Sequence, residues 1–246
     1  MPSFRRVIDI RTQGSPLDGQ ARVALEDDYH HFRVGLVYKD NKISDTFGEG
    51  LRTPYTTCGA AATQLQSLVG MTIERDRDAI GAFTNPKLQC THMFDEAGLA
   101  VNAAAQGIKR RRYEIEVPRH VDGATHSRIW RDGELIMQWH INGDTITAPE
   151  QFVDMPLRHG MGAWVQENLS ESMQEAAFIL RRCSVISIGR LYNLDELTHA
   201  RNSNYCYAQQ EERAQQSLRV KGSTEDFSDR LGELTKADQD WLNELA

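Results

Sequence analysis

The sequence is poor in cysteine, in basic residues and in long apolar runs, and each shortage excludes a class of protein. Four cysteines, Cys58, Cys90, Cys183 and Cys206, are scattered through 246 residues. That is neither the density of a disulfide scaffold nor a Cys-x-x-Cys metal knuckle, so reduced thiols are expected. No segment approaches the ~18 consecutive apolar residues of a membrane span, and Met1-Pro2-Ser3-Phe4-Arg5-Arg6 lacks the apolar stretch of a secretory signal. The expectation is a cytoplasmic protein with no membrane partner. Lys and Arg number 28 against 35 Asp and Glu, a formal charge of -7, which argues against nucleic acid as a partner. The run Lys109-Arg110-Arg111-Arg112 is too short to reverse that and reads as a solvated strand entrance. Also missing are a Gly-rich phosphate loop, a Gly-x-Ser-x-Gly elbow, a His-Glu-x-x-His pair and a dinucleotide fingerprint. No cofactor and no bound metal are therefore expected.

What remains is an ordinary globular balance, 40% hydrophobic and 26% charged, arranged in blocks of two periods. Val7, Ile8 and Ile10, then Ala21, Val23 and Leu25, then Phe32, Val34, Leu36 and Tyr38 read as strands, the last set on one sheet face. Lys39-Asp40-Asn41-Lys42 turns the chain into a further strand at Ile43 to Phe47. After Pro54 the spacing becomes helical: Ala61, Leu65, Leu68 and Val69 form a stripe ended by Gly70, with Thr57 as N-cap and Cys58 in the first turn. A second helix starts at Cys90, carries Met93, Ala97, Ala100, Val101 and Ala104, and stops at Gly107. The order then recurs. Tyr113 to Val117, His126 to Trp130, Leu135 to Ile141 and Thr145 to Thr147 read as strands joined at Arg131-Asp132-Gly133 and Asn142-Gly143-Asp144. Gly160 to Leu169 and Met173 to Cys183 read as helices.

The fold expected is therefore α+β, a tandem degenerate repeat of an antiparallel four-strand meander followed by two helices. The letters carry part of the parallel: Phe32-x-Val34-x-Leu36 through Ile43 matches Leu135-x-Met137-x-Trp139 through Ile146, Phe47 matches Phe152, and Leu51-Arg52 matches Leu157-Arg158. Residues 1–107 form the first module, 108–192 the second, and 193–246 a polar extension that packs over the body or a neighbouring subunit with Trp241 as its anchor. Thr235-Lys236-Ala237-Asp238 caps a short helix there. A homodimer through a sheet edge or this extension is compatible with the sequence.

The chemically suggestive residues lie in the first module. A thiol at the start of a helix feels unpaired amides and the positive end of the dipole, which lower its pKa; Cys58 is on that ground a candidate nucleophile, the competing reading being a small buried hydrophobe. Cys90-Thr91-His92 places a thiol and an imidazole at another helix start, pointing about 200° apart on a helix. His92 or His31 is the candidate proton carrier. His30 and His31 face opposite sides of their strand, and Asp27 or Asp28 beside them could orient one ring as a general base. Arg52 and Tyr55 are equipped to hold a developing oxyanion, while Cys90 and Asp28 are candidate substrate-binding groups.

The strings Asp27-Asp28-Tyr29-His30-His31-Phe32, Leu51-Arg52-Thr53-Pro54-Tyr55-Thr56-Thr57-Cys58 and Cys90-Thr91-His92-Met93-Phe94-Asp95 resemble the bacterial family catalogued as domain of unknown function 2889, over roughly residues 5–190. The resemblance implies a setting of bacteria that degrade aromatic and steroid compounds. The Cys58-Gly-Ala-Ala helix start and the helix from Cys90 also resemble the NifU-type iron-sulfur scaffolds (a NifU/SufE-like fold), in which Cys58 and Cys90 would match two of three cluster thiols. The third is missing, because Gly81-Ala82-Phe83-Thr84-Asn85-Pro86 carries none. Three functions are thus on the table: a cofactor-independent carbon-carbon lyase acting on a hydrophobic aromatic or polycyclic catabolite, a metal or iron-sulfur carrier, and a non-catalytic small-molecule binder.

Overall fold

A computed structural model describes residues 2–75 and 79–245. Its strands are β1 (Ser3–Gly14), β2 (Gly19–Asp27), β3 (His31–Lys39), β4 (Lys42–Arg52), β5 (Arg110–Pro118), β6 (Ala124–Arg131), β7 (Glu134–Asn142) and β8 (Thr145–Ala148). Its helices are α1 (Ala79–Phe83), α2 (Thr91–Gln106), α3 (Met161–Asn168), α4 (Glu171–Ile186), α5 (Glu211–Ala214) and α6 (Gln239–Asn243), with a 3-10 helix over Cys58–Leu68. The class is α+β. The strands join one sheet in the order β4-β3-β2-β1-β5-β6-β7-β8, and the pairings of β2 with β3, β3 with β4, and β5 through β8 in turn are antiparallel. Among the described residues no helix is long and apolar enough to cross a membrane.

The turns form where the residues tolerate positive φ. Asp40 (φ 51) and Asn41 (φ 60) make the β3–β4 hairpin, and Asp132 (φ 52) with Gly133 (φ 88) the β6–β7 one, geometries whose twist matches the flanking strands. Gly107 closes α2 in the left-handed conformation at φ 68, its amide bonding back to the helix carbonyls.

The chain divides into two compact units. One holds Met1–Val7, Arg112–Leu194 and Asp226–Leu234; the other holds Ile8–Arg111, Asp195–Glu225 and Thr235–Ala246. The polar extension is therefore shared between the units and forms no body of its own. In the first-named unit Trp139 and Phe152 pack edge to face, and Val7, Phe227 and Leu234 form a small cluster. Phe152 is buried in a 3-10 turn, whereas Phe47, its counterpart in the letters, lies in β4 with 46% of its surface exposed. Leu51 is likewise exposed and Leu157 buried. These two parallels in the repeat are matches of letters and not of environment.

The other unit carries the chemistry. The register Ala21↔Leu36, Val23↔Val34 and Leu25↔Phe32 sets six apolar side chains on one face, and α2 packs over β2 and β3 there. The 3-10 helix covers β4 on the same side. It comes so close that a Cβ on Gly48 would lie 2.8 Å from Leu65 Cδ1. Leu65 itself is fully buried, a burial worth roughly 1.5–3 kcal/mol. The helical stripe read after Pro54 is thus real, but the segment winds as a 3-10 helix. Thr57 makes no side-chain cap, because its hydroxyl pairs with that of Ser217.

Candidate functional site

The β2–β3 turn presents two adjacent histidines to opposite faces of the sheet, as alternation along a strand requires. His30 turns to the α2 face. Asp27 folds back over the turn and its Oδ1 accepts the backbone N–H of Tyr29 (2.7 Å) and of His30 (2.8 Å). The same oxygen meets His30 Nδ1 at 3.0 Å. An aspartate that is fully buried and locked by two amides fixes the ring angle of His30 and leaves Nε2 outside this contact. His92, in the first turn of α2, stacks on His30 with ring centroids 3.8 Å apart. Phe32 flanks both rings, at 5.8 Å from each. The spacing of Cys90 and His92 is resolved by Cys90 standing outside the helix as its N-cap residue.

His31 turns to the other face. Its Nε2 meets Asp238 Oδ2 at 2.8 Å and its Nδ1 meets Glu26 Oε1 at 3.5 Å. Asp238 also accepts from Arg33 Nε at 2.6 Å, and Glu26 from Arg52 Nη2 (3.3 Å) and the Thr235 amide (2.8 Å). His31 is thus a member of an ion-pair network that fastens the end of the chain to β2 and β3. The Thr235–Asp238 stretch does lead into α6, but Asp238 makes no side-chain cap there, because both its oxygens are turned to His31 and Arg33.

Arg52 is spent in the same way. Its Nη1 donates to the carbonyls of Asp28 and Ser223 (3.1 Å each) and its Nη2 to that of Asp27 at 2.6 Å. With Glu26 also bound, the guanidinium braces the turn that carries His30. Asp28 is fully buried, and its carbonyl takes the Glu225 amide at 2.8 Å.

The cysteines differ most from the expectation. Burial pushes the Cys58 thiol up to about 12, outweighing the Tyr55 backbone contact that lowers it. Burial raises Cys90 as well, and a charge on Cys58 would raise it further. Both are therefore neutral thiols at physiological pH, opposite in direction to the activation expected from a helix start; desolvation of a buried anion exceeds the pull of a short helix end. Burial also raises the Tyr55 phenol, against the nearby Arg219 and Arg201, so it stays protonated.

A third thiol does stand near these two, from an unexpected place. Cys206 is close enough for its charge to act on Cys58, Cys90 and Tyr55, and the next residue, Tyr207, donates its amide to Gln89 O at 3.0 Å. Residues 216–220 run beside the approach to Cys58. Thr56 N–H donates to Leu218 O, and Val220 N–H to Pro54 O, both at 3.0 Å. Arg219 Nη1 donates to Pro54 O, also at 3.0 Å. No local signal in the sequence joins Cys206 to Cys58, which it follows by well over a hundred residues.

Among the described residues the groups with ligand atoms within 4.8 Å of one another are Asp27–His30–His92 and Glu26–His31–Asp238. The three thiols are not such a group. Glu26 and Asp238 are already saturated by Arg52, Arg33 and Thr235. In the first group the two rings are tilted by 31° with centroids 3.8 Å apart. Asp27, His30 and His92 are arranged as a carboxylate-oriented imidazole with a second imidazole in contact.

The chain is thus an α+β protein with an Asp27–His30–His92 cluster at the hairpin end of its sheet. Residues 5–106 match the family model described as protein of unknown function (DUF2889). The matched segment contains Asp27, His30, Cys58, Cys90 and His92. No curated protein and no solved structure matches the chain.

Proposed function

We propose that the protein is a cofactor-independent acid-base enzyme in which His30, oriented by Asp27, is the general base. The narrower reading is a carbon-carbon lyase acting on a hydrophobic aromatic or polycyclic catabolite. The observation that carries it is the Asp27–His30 pair, 3.0 Å apart, stacked on His92. A carboxylate behind one imidazole nitrogen keeps the other free to accept a proton, and stabilises the imidazolium that results. In a retro-aldol step His30 would take the proton of a hydroxyl while the adjacent carbon-carbon bond breaks. The electron pair then passes to the enolate of the departing carbonyl fragment, and the proton returns to its carbon. His30 takes the proton-moving role that sequence reading gave to His92 or His31, with His92 as the ring packed against it. Neutral Cys58 and Cys90 fit the lining of a hydrophobic site better than a nucleophile.

The test is a thermal-shift screen of phenolic and steroid ligands followed by mass analysis for conversion. Turnover should fall about 10²–10⁴-fold in His30→Ala, the usual weight of a general base, and comparably in Asp27→Asn. Cys58→Ala should leave it within a few-fold. Turnover unchanged in His30→Ala, or lost in Cys58→Ala with the fold intact, overturns the proposal.

We also infer that β1–β4 and β5–β8 with their helices are a duplicated unit. The mirrored strand order and the family match ending at residue 106, after the first run, support this. Relatives built of one such run would bear it out, and relatives with a different strand order in the second run would refute it.

A further inference from the structure

On the sheet face turned away from α2, a cavity of about 230 Å³ opens between β2, β3, β4 and α6, with Arg22, Gly35, Val37, Asp45, Phe47 and Trp241 in its lining. It lies on the opposite face of the sheet from His30 and His92. Three features give it a ligand chemistry.

The walls are aromatic and partly open to water: Phe47 is 46% exposed and Val37 40%, and the Phe47 and Trp241 rings meet at 6.0 Å. The floor is bare because β3 has glycine there. A Cβ on Gly35 would sit 3.5 Å from Phe47 Cβ, ordinary contact, so the glycine relieves no crowding and its missing side chain leaves room. The third feature is charge. Arg22 and Arg33 bracket the Trp241 ring with guanidinium carbons 5.1 and 5.2 Å from its centroid. Arg33 is paired with Asp238 and Glu49. Arg22 donates to the Trp241 carbonyl but, among the described residues, pairs with no carboxylate. Asp45 lines the same cavity, is exposed, and works against an anion.

We propose that this cavity binds a single-ring aromatic carboxylate, its ring against Phe47, Trp241 and the Gly35 backbone and its carboxylate on Arg22. The volume lies below the ~300–1,000 Å³ of pockets for drug-sized ligands, which limits the occupant to about one ring. A planar guanidinium already stacked on an indole is preorganised for a flat anion, offering paired N–H donors to a carboxylate and a cationic face to the ring. The site is independent of the acid-base reading of His30.

The test uses the full chain and benzoate, followed by amide chemical shifts. Benzoate should bind in the millimolar range and move the amides of residues 20–22, 35–37, 45–47 and 241. Arg22→Gln keeps a donor for the Trp241 carbonyl; it should weaken benzoate about tenfold or more while leaving neutral benzamide unchanged. Asp45→Asn should tighten benzoate, and Gly35→Val should block both compounds with the unfolding temperature retained. Shifts centred elsewhere, or benzoate and benzamide responding alike to Arg22→Gln, overturn the proposal.

Discussion

Replacing Asp238 by alanine should loosen the end of the chain from the sheet. The Asp238 side chain is fully buried, and its two oxygens take His31 Nε2 at 2.8 Å and Arg33 Nε at 2.6 Å. Removing the anion leaves His31 with Glu26 and Arg33 with Glu49 as their remaining carboxylates, each at 3.5 Å. Breaking a buried pair costs about 3–5 kcal/mol, but His31 is 12% and Arg33 18% exposed, so water reaches both and the lower end applies. A loss of about 3 kcal/mol corresponds to a fall in unfolding temperature of roughly 6–12 °C for a chain of this size. Scanning calorimetry measures it, and limited proteolysis should cut the chain beyond residue 234 sooner in the variant. A double-mutant cycle with Arg33→Met should return a coupling of about 0.5–3 kcal/mol, because the two residues share a bond. A fall below about 2 °C with unchanged proteolysis would refute the fastening role and return His31 to consideration as a free imidazole.

Two further outcomes follow from the same face-by-face packing. Folded Cys58 holds its proton up to about 12 while an unfolded cysteine releases it near ~8.5. The thiol's contribution is complete below the unfolded value and declines as pH rises toward the folded one, by about 2.7 kcal/mol at pH ~10.5. Urea melts of Cys58→Ala should be flatter between pH ~8.5 and ~11 than those of the parent, and equal slopes would contradict the burial reading. Gly48→Ala should cost about 1–3 kcal/mol by overpacking, since its Cβ would lie 2.8 Å from Leu65 Cδ1 and 3.0 Å from Ala62 Cβ. Gly35→Ala, meeting nothing nearer than 3.5 Å, should cost less than about 0.5 kcal/mol or stabilise. Equal urea midpoints for the two alanine variants would refute the close approach of the 3-10 helix.

What could be read from the sequence is what local physics decides. The period-two apolar pattern located β3, because a strand more exposed on one face than the other alternates. The Asp40-Asn41 and Asp132-Gly133 turns and the Gly107 cap were legible because few residues accept positive φ. The failures have two causes. Competition between effects of opposite sign reversed Cys58, whose desolvation outweighs its position at a helix start. Distance along the chain hid the rest: Cys206, Arg219 and Asp238 reach the first hundred residues from the extension, and nothing in the letters near them announces a partner. Phe47 and Phe152 failed as a pair because equal letters carry no information on which face of a strand, or which turn, they occupy.

The two neighbouring histidines show how far one position along a strand changes the surroundings of a side chain. His30 and His31 differ by one position, and strand geometry sends them to opposite faces with a carboxylate behind each. On the outer face Asp238 and Glu26 are themselves bound by Arg33 and Arg52, so His31 lies inside a network whose capacity is used up. On the inner face Asp27 has spent its Oδ1 on two backbone amides of its own turn and on His30, and His30 meets an aromatic ring and a second imidazole. The one imidazole is backed by a single carboxylate and borders Phe32 and His92; the other is held between the carboxylates of Asp238 and Glu26. Arg52 links the two situations. It binds the carbonyls of Asp27 and Asp28 on the turn and Glu26 in the outer network, so the fastening of the chain end and the ring angle of His30 depend on the same guanidinium.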